Sequence, residues 1–316
     1  MKLAFHASHE QFSARRLLDC ALRAEARGFT TVFSSDHLAP WSRAQGHSSH
    51  AFTWMAVVLA RSSLRLGVVT TPGYRYPLLP FAQSLATIEE LFPGRLLVCL
   101  GSGEALNERP VVRDWPAKPE RQRRLELAAE LLRRVLAGET VEVSAPFGNG
   151  PARLYPAPAS APPFFGAALT EATAARAARW ADGLITVADE PGETAARVAA
   201  FRAERAEAPV ALKVQCSFAG TLREARRNAV ERWGPALVPH DRLLELDSPE
   251  AFEAAAAQLD PAEVAARVPA VCDARGLQEL LEPFRALAPD LVSLHDVGPY
   301  QEEFIDLAAS AGLLNA

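Results

Sequence analysis

The chain of 316 residues is 49% hydrophobic and 22% charged, enough apolar material for a large core and too much for extended disorder. Its formal net charge of −5 offers no basic face to a phosphate backbone, which argues against a nucleic-acid partner. No apolar run reaches the roughly 18 residues a membrane span requires, and Met1-Lys2-Leu3-Ala4-Phe5-His6 turns polar too early for a signal peptide.

Cys20, Cys99, Cys216 and Cys272 are far apart, form no CxxC pair and sit in apolar periodic segments. They read as four buried thiols in a reducing compartment, so a cytoplasmic protein is expected. Lysine occurs only at Lys2, Lys118 and Lys213, which reads as compositional bias rather than function.

Leu3 to Ala7 reads as a first strand and Ser13 as the cap of a helix whose apolar positions Leu17, Leu18, Ala21 and Leu22 keep a 3.6 period as far as Gly28. Thr30-Thr31-Val32-Phe33, short and apolar on both faces, reads as a buried parallel strand. A helix over about 52–60, a strand over 64–69, a helix over 79–91, a strand over 95–100 and a helix over 120–136 continue the rhythm. Residues 139–161, with several prolines, read as an insertion of loop or short strands. Strands are predicted again at 163–169, 182–187 and 210–218, with a helix over 170–180. Residues 221–288 read as a helical second insertion, followed by a strand at 291–295 and a closing helix over 304–313.

Eight strands alternating with helices predict a (β/α)8 TIM barrel spanning 1–316 as one domain, with function on the loops after the strands. A doubly wound open sheet is the alternative, weakened because no GxGxxG follows the first strand. On the barrel reading, polar residues gather at successive strand ends: His6, His9 and Glu10; Asp36, His37 and Trp41; Thr70 and Thr71; Ser102, Gly103, Glu104 and Asn107. Strands lie about 4.8 Å apart, so His37 and Glu104, two strands apart, are expected to flank a slot on the order of 10 Å wide, which suits a flat polycyclic ring. Each residue has a plainer role available: His37 bonded to a loop carbonyl, Glu104 capping the next helix, Trp41 in packing, and His47 and His50 as loop residues rather than ligands.

Five motifs in this order carry a resemblance: Phe5-His6-Ala7-Ser8-His9-Glu10-Gln11-Phe12, Ser35-Asp36-His37-Leu38-Ala39-Pro40-Trp41, Phe52-Thr53-Trp54-Met55, Tyr74-Arg75-Tyr76-Pro77 and Gly101-Ser102-Gly103-Glu104-Ala105-Leu106-Asn107-Glu108. The chain resembles the bacterial-luciferase-like superfamily of flavin and deazaflavin enzymes, and within it the branch of F420-dependent glucose-6-phosphate dehydrogenase. The resemblance implies a barrel binding F420 or FMN at the strand ends, usually as a homodimer acting on a small molecule. It implies His37 as the base for the substrate hydroxyl, Glu104 as the carboxyl that protonates the reduced ring, and Trp41 and Glu10 as residues shaping the surroundings of the reacting carbon. It assigns Asp36, Ser102, Gly103 and Asn107 to the ring, together with Val69, Thr70 and Thr71 on a bulged third strand with a non-prolyl cis peptide at Val68-Val69 or Val69-Thr70. Ala168 and Thr170 match positions near the cofactor's phosphate, where the branch's Gly-Gly is here Leu169-Thr170.

Of three cations that hold the sugar phosphate in the branch, Arg267 matches one, whereas one lysine position is Leu243 and the other, within 191–197, holds no lysine. Each charge-assisted contact contributes roughly 1.5–3 kcal/mol, so glucose 6-phosphate is not the expected substrate. The expectation is hydride transfer between an alcohol and the ring. A monooxygenase using reduced flavin and dioxygen is the nearest alternative, followed by non-catalytic flavin storage and by a barrel hydrolase or isomerase with a metal on His6, Asp36, His37 and Glu104. No H-x-x-E-H spacing supports a metal, and none is expected.

Overall fold

A computed structural model describes residues 1–314, apart from the side chains of 235, 236, 240 and 241. The last two positions of the expected 1–316 span lie outside the described residues. Eleven strands occur in the order β1 Lys2–Ala7, β2 Thr31–Ser34, β3 Arg65–Thr70, β4 Leu96–Leu100, β5 Val141–Val143, β6 Gly150–Ala152, β7 Phe164–Ala167, β8 Gly183–Ala188, β9 Val210–Phe218, β10 Ala270–Val271 and β11 Leu291–Asp296. Eight of them pair in parallel around the ring β1-β2-β3-β4-β7-β8-β9-β11 and back to β1, which closes the barrel. Closure leaves no open edge among these strands.

Capping fixes several of the surrounding helices. Ser13 Oγ accepts from the Arg16 amide at 3.4 Å to start the helix Ala14–Ala26, and Thr170 accepts from the Thr173 amide at 3.2 Å to start Glu171–Ala177. His50 caps Ala51–Arg61 through Nδ1, which accepts from the Thr53 amide at 3.3 Å. The helix Pro191–Arg202, opened by a proline in its first turn, is one the sequence reading passes over.

Residues 139–161 hold the antiparallel hairpin β5–β6 amid loop. The second insertion is not wholly helical. Between its helices Pro261–Arg267 and Ala274–Arg285 lies β10, which extends the sheet beside the end of β9 through Ala270↔Ser217. Two residues are too few for a periodic signal, so the strand is invisible in sequence. Cys20, Cys99 and Cys216 are buried free thiols as expected, but Cys272, next to β10, is partly exposed.

The main core lies between the strands and the helices. A second apolar cluster, Ala4, Phe33, Leu97, Cys99, Phe165, Ile185 and Ala211, fills the barrel itself. It is assembled by pairing large against small across neighbouring strands. Phe33 lies opposite Gly67 and Phe165 opposite Gly183, and a Cβ on either glycine would come within 2.5 Å and 2.6 Å of the facing ring. Filling Gly67 with a methyl therefore forces Phe33 off its position. Gly67→Ala is expected to destabilise the chain by about 1–3 kcal/mol, read as a lower urea midpoint; an unchanged midpoint would show that the barrel interior is loosely packed there.

Above this apolar plug the interior turns polar with His6 of β1, Lys213 and Gln215 of β9, and Ser293 and His295 of β11. His6 and His295 face each other at 4.5 Å between ring centroids, and burial holds both imidazoles well below their ordinary range. In the loop after β1, His9 is 0% exposed and packs edge-on against Trp54 at 4.8 Å. Burial lowers it from 6.5 to about 4. As the pH drops below 6.5, the unfolded chain binds a proton that the folded chain refuses, so stability present above that point drains away. For His9 the loss reaches about 3 kcal/mol. Thermal unfolding at pH 7 and at pH 4.5 should show a smaller acid loss in His9→Phe than in the parent; equal losses would rule His9 out as a source of acid sensitivity.

Candidate active site

Four side chains from three strand ends form one continuous line at the carboxyl end of the barrel. Glu10, after β1, is its base. Glu10 Oε2 accepts from Ser8 Oγ and from Ser35 Oγ, each at 2.8 Å, so hydroxyls following two neighbouring strands grip one oxygen. Glu10 Oε1 faces His37 Nε2 at 3.4 Å. Burial works to raise the Glu10 carboxyl, but the His37 imidazole, Glu10's own backbone amide and the Ser8 hydroxyl together hold it below its ordinary value.

On the other side of the imidazole, His37 Nδ1 lies 3.3 Å from Asn107 Nδ2, and the same amide nitrogen donates to Glu104 Oε2 at 3.3 Å. The Leu38 amide donates to Asn107 Oδ1 at 2.9 Å, which fixes which end of the carboxamide is which. With Nε2 turned to a carboxylate and Nδ1 to an NH2 donor, the neutral imidazole carries its proton on Nε2 and its lone pair on Nδ1. Such an imidazole can accept a proton at Nδ1 while a carboxylate stabilises the cation formed.

The plainer roles are not what these residues adopt. His37 meets two side chains rather than a loop carbonyl, and Glu104 occupies the N-cap position of Ala105–Glu108 without capping it. The expected slot between His37 and Glu104 is likewise absent, since both reach one amide nitrogen. Strand spacing sets backbone separation only, and the short helix after β4 folds Asn107 back between them. The pair therefore leaves no gap for a flat ring between its members.

Trp41 stands edge-on to His37 at 4.9 Å and to Trp233 at 5.1 Å, and Trp233 stands edge-on to His295 at 4.7 Å. Trp41 Nε1 is buried without a hydrogen-bond partner, an open donor beside the imidazole. Leu106, Leu243, Phe252 and Val268 pack with the two tryptophans into an apolar wall. Arg267 is exposed and donates to the Leu237 carbonyl at 3.2 Å, so the structure does not bring it to His37.

Asp36 turns the other way from His37. Its carboxylate accepts from Thr70 Oγ1 at 2.7 Å, Tyr76 OH at 2.8 Å and Arg75 at 2.9 Å, and the side chain is 0% exposed. It is engaged below the surface rather than aimed at a ligand. Arg75 also binds Glu108 through its backbone amide, at 2.9 Å; burial pushes the Glu108 carboxyl up to about 7 against the pull of Arg75. The alternative metal set of His6, Asp36, His37 and Glu104 does not converge, and among the described residues no three His, Cys, Asp or Glu side chains are grouped to hold an ion.

Two glycines line the loop after β4, one of them closely covered by side chains. Gly103, at φ +87, has Glu108, Trp115 and Thr71 atoms within 3.1–3.2 Å of where a Cβ would stand, while Gly101 would meet only Ala167 Cβ at 3.8 Å and the Thr70 carbonyl at 3.9 Å. Ser102 is partly exposed beside them, Thr70 ends the third strand and Thr71 follows it. Val69 packs toward the barrel interior. The cis peptide expected at Val69 is not found: cis bonds occur only at Ala145-Pro146 and Tyr155-Pro156 among the described residues. β3 instead keeps regular parallel register through Val69↔Cys99 and Thr70↔Leu100, without a bulge. Ala168 is buried among the outer core, and the Thr170 hydroxyl is engaged by Thr173, so neither side chain opens onto the mouth.

The sequence reading missed Trp233, Arg75 and Lys213. Lys213 carries the clearest signal, because a lysine at an inward position of a buried strand breaks the apolar pattern.

Residues 1–287 match the luciferase-like monooxygenase family. Over 97% of its length the chain is 31% identical to 95% of an F420-dependent glucose-6-phosphate dehydrogenase of Nocardia farcinica. Among solved structures, an F420-dependent secondary alcohol dehydrogenase in complex with an F420-acetone adduct superimposes with a TM-score of 0.89 at 24% identity, covering 98% of this chain and 97% of that one. A monooxygenase of Streptomyces bottropensis superimposes with a TM-score of 0.74 at 22% identity, covering 100% and 99%; at these identities the likeness is one of fold. With the family matched over nine-tenths of its length and the barrel closed as expected, the chain belongs to the luciferase-like monooxygenase family and is an oxidoreductase.

Proposed function

We propose that the chain transfers hydride between an uncharged alcohol and a deazaflavin or flavin ring, F420 or FMN, held at the carboxyl ends of the strands. The observation that carries this reading is the line Glu10–His37–Asn107–Glu104, which offers a carboxylate-backed base and a second carboxyl on one small surface. Oxidising an alcohol requires both a hydride acceptor and a base for the hydroxyl proton.

The residues present suit a flat ring. Gly101 leaves the strand end without a side chain, and Trp41 Nε1, next to the imidazole, is a buried donor without a partner. Val69, Thr70, Thr71, Ser102 and Gly103 would hold the ring, with Asp36 acting from beneath through Thr70 and Arg75, and the backbone rather than the side chains of Ala168 and Thr170 toward the tail. Such a ring, when bound, supplies the hydride acceptor. His37 takes the hydroxyl proton at Nδ1, where the substrate hydroxyl displaces the Asn107 NH2, as the carbon–hydrogen pair departs, and Glu10 holds the Nε2 proton so that the developing imidazolium faces a carboxylate. Glu104 supplies the second proton that the transfer consumes, Asn107 keeps acid and base in register, and Trp41 packs against the reacting carbon.

The wall of Trp41, Trp233, Leu243 and Phe252 favours a substrate with an apolar body, and the exposed Arg267 leaves no cluster of cations for a phosphate. We further read the chain as one domain, working as a homodimer in the cytoplasm, for which four free thiols are suited. The family's name keeps a second reading in play, oxygen insertion by reduced flavin, which oxygen uptake with reduced FMN distinguishes.

Titration with F420 and with FMN should shift the visible band of one of them on binding; no shift with either removes the reading. With the bound cofactor, His37→Asn should slow reduction by simple secondary alcohols by about 10²–10⁴-fold while cofactor affinity holds; parental rates would take the base role away from His37. Glucose 6-phosphate should reduce the bound ring no faster than buffer, and saturable turnover with it would overturn the uncharged substrate. A single monomeric boundary in sedimentation would end the dimer.

A further inference from the structure

His37 stands three residues beyond the end of β2, where the strand ladder no longer holds the chain. Among the described residues, neither the Asp36 carbonyl nor the His37 carbonyl accepts from a backbone amide. Backbone groups without a ladder partner are paired by side chains or water, and here side chains reach both. The Arg75 guanidinium donates to the Asp36 carbonyl at 3.0 Å. The Ser48 hydroxyl, from the far end of the loop that carries His37, donates to the His37 carbonyl at 2.6 Å. With the Leu38 amide on Asn107 Oδ1, the peptide groups on both sides of His37 are fixed.

Arg75 and Ser48 are themselves tied to the other members of the line. The Arg75 amide donates to Glu108 Oε2 at 2.9 Å and its guanidinium meets Asp36 Oδ1 at 2.9 Å, so one residue joins the neighbour of Asn107 to the neighbour of His37. Gly46, at φ +74, supplies a left-handed turn that a side chain would resist. Just beyond it the His47 amide donates to the Glu10 carbonyl at 3.2 Å, and Ser48 takes the carbonyl of His37. Consecutive residues thus hold the backbones of the two groups whose side chains face each other at 3.4 Å.

We propose that Arg75 and Ser48 are positioning residues for His37, clamping the peptide groups on its two sides so that Nε2 stays on Glu10 and Nδ1 on Asn107. This rests on His37 being the base. Neither residue is in contact with the imidazole, and neither gives or takes a proton in the transfer. The ring's contacts, at 3.3 and 3.4 Å, are near the limit of hydrogen-bond reach, so a small turn of an unclamped loop breaks one of them. The neutral imidazole would then divide its proton between its two nitrogens, and only the fraction protonated at Nε2 keeps a lone pair at Nδ1.

Nitrogen-15 NMR of histidine-labelled, cofactor-free protein above neutral pH reads this tautomer, with the His37 signals identified by their loss in His37→Asn. The parent should show one protonated and one bare nitrogen. Ser48→Ala should draw the two signals toward a common average, and Ser48→Thr should restore them. Arg75→Lys keeps the charge beside Asp36 without the fork that spans its carboxylate and carbonyl, and Arg75→Met/Glu108→Gln removes both charges together; each should average the signals as Ser48→Ala does. In the loaded enzyme Ser48→Ala should lower kcat for alcohol oxidation about tenfold and the Arg75 variants up to about 10²-fold, with KM and cofactor affinity held. Contacts that only stabilise the loop would lower the melting temperature and leave the tautomer as in the parent. Parental signals in Ser48→Ala, or in every Arg75 variant that folds, overturn the proposal. Averaged signals with no alcohol oxidised by the parent at any pH uphold the clamp and defeat the proposed function instead.

Discussion

A carboxylate buried out of contact with any cation is unstable unless its oxygens are bonded, and Glu10 meets that condition by drawing Ser8 and Ser35 onto one oxygen and presenting the other to His37. The serines follow β1 and β2, whose ladder pairs Ala7 with Ser34, so the grip also ties together the first residues beyond two strands. Ser35 accepts from the His9 amide at 2.8 Å as well, locking the loop that carries Glu10. The imidazole above is thus oriented by the barrel's own hydrogen-bonded frame, and Asn107 and Glu104 can reach it only because its ring is held still.

A second buried ionic group supports the opposite flank. Asp36 and Glu108 share Arg75, whose guanidinium also lies 4.6 Å over the ring of Tyr76. Taking three charges out of water is unfavourable, and the return is geometric: the bonds join the loops after β2, β3 and β4 into one block. Consecutive residues divide the work. Asp36 fastens the loop from below, and His37 faces the mouth.

The barrel strands are legible because most are short runs apolar on both faces, a pattern that burial between helices and interior imposes. The strand over 210–218 matches its observed limits because Pro209 precedes it and Gly220 follows it closely, even though Lys213 and Gln215 interrupt its apolar pattern. Helix 191–202 was missed because its Ala-rich face carries little periodicity beyond Val198 and Phe201, and β10 because two residues hold no pattern. At the site, residue types and their order along the chain were readable, and contacts were not. That Asn107 would join His37 to Glu104 depends on how tightly the chain turns after β4, which no spacing encodes. Asp36 was assigned to the ring because it adjoins His37, yet adjacent residues at a strand end point apart, and Thr70, Arg75 and Tyr76 were waiting on the other side.

The division between frame and wall also bears on how the family changes substrates. Glu10, His37 and Glu104 stand on loops that follow barrel strands and Asn107 on the short helix after β4, where a shift of one residue would break several bonds at once. The apolar wall instead draws Leu243, Phe252 and Val268 from the second insertion, which connects to the barrel through few elements. The Ala105 amide donates to the Leu244 carbonyl at 3.0 Å, and Arg121, fully buried, pairs with Glu245 at 2.8 Å. These links fix where the insertion sits while leaving the identity of its inward side chains free. Leu243 in such a segment shapes the apolar wall while the bonds among Glu10, His37, Asn107 and Glu104 are made without it, so the insertion's side chains can vary while the framework beneath them is kept.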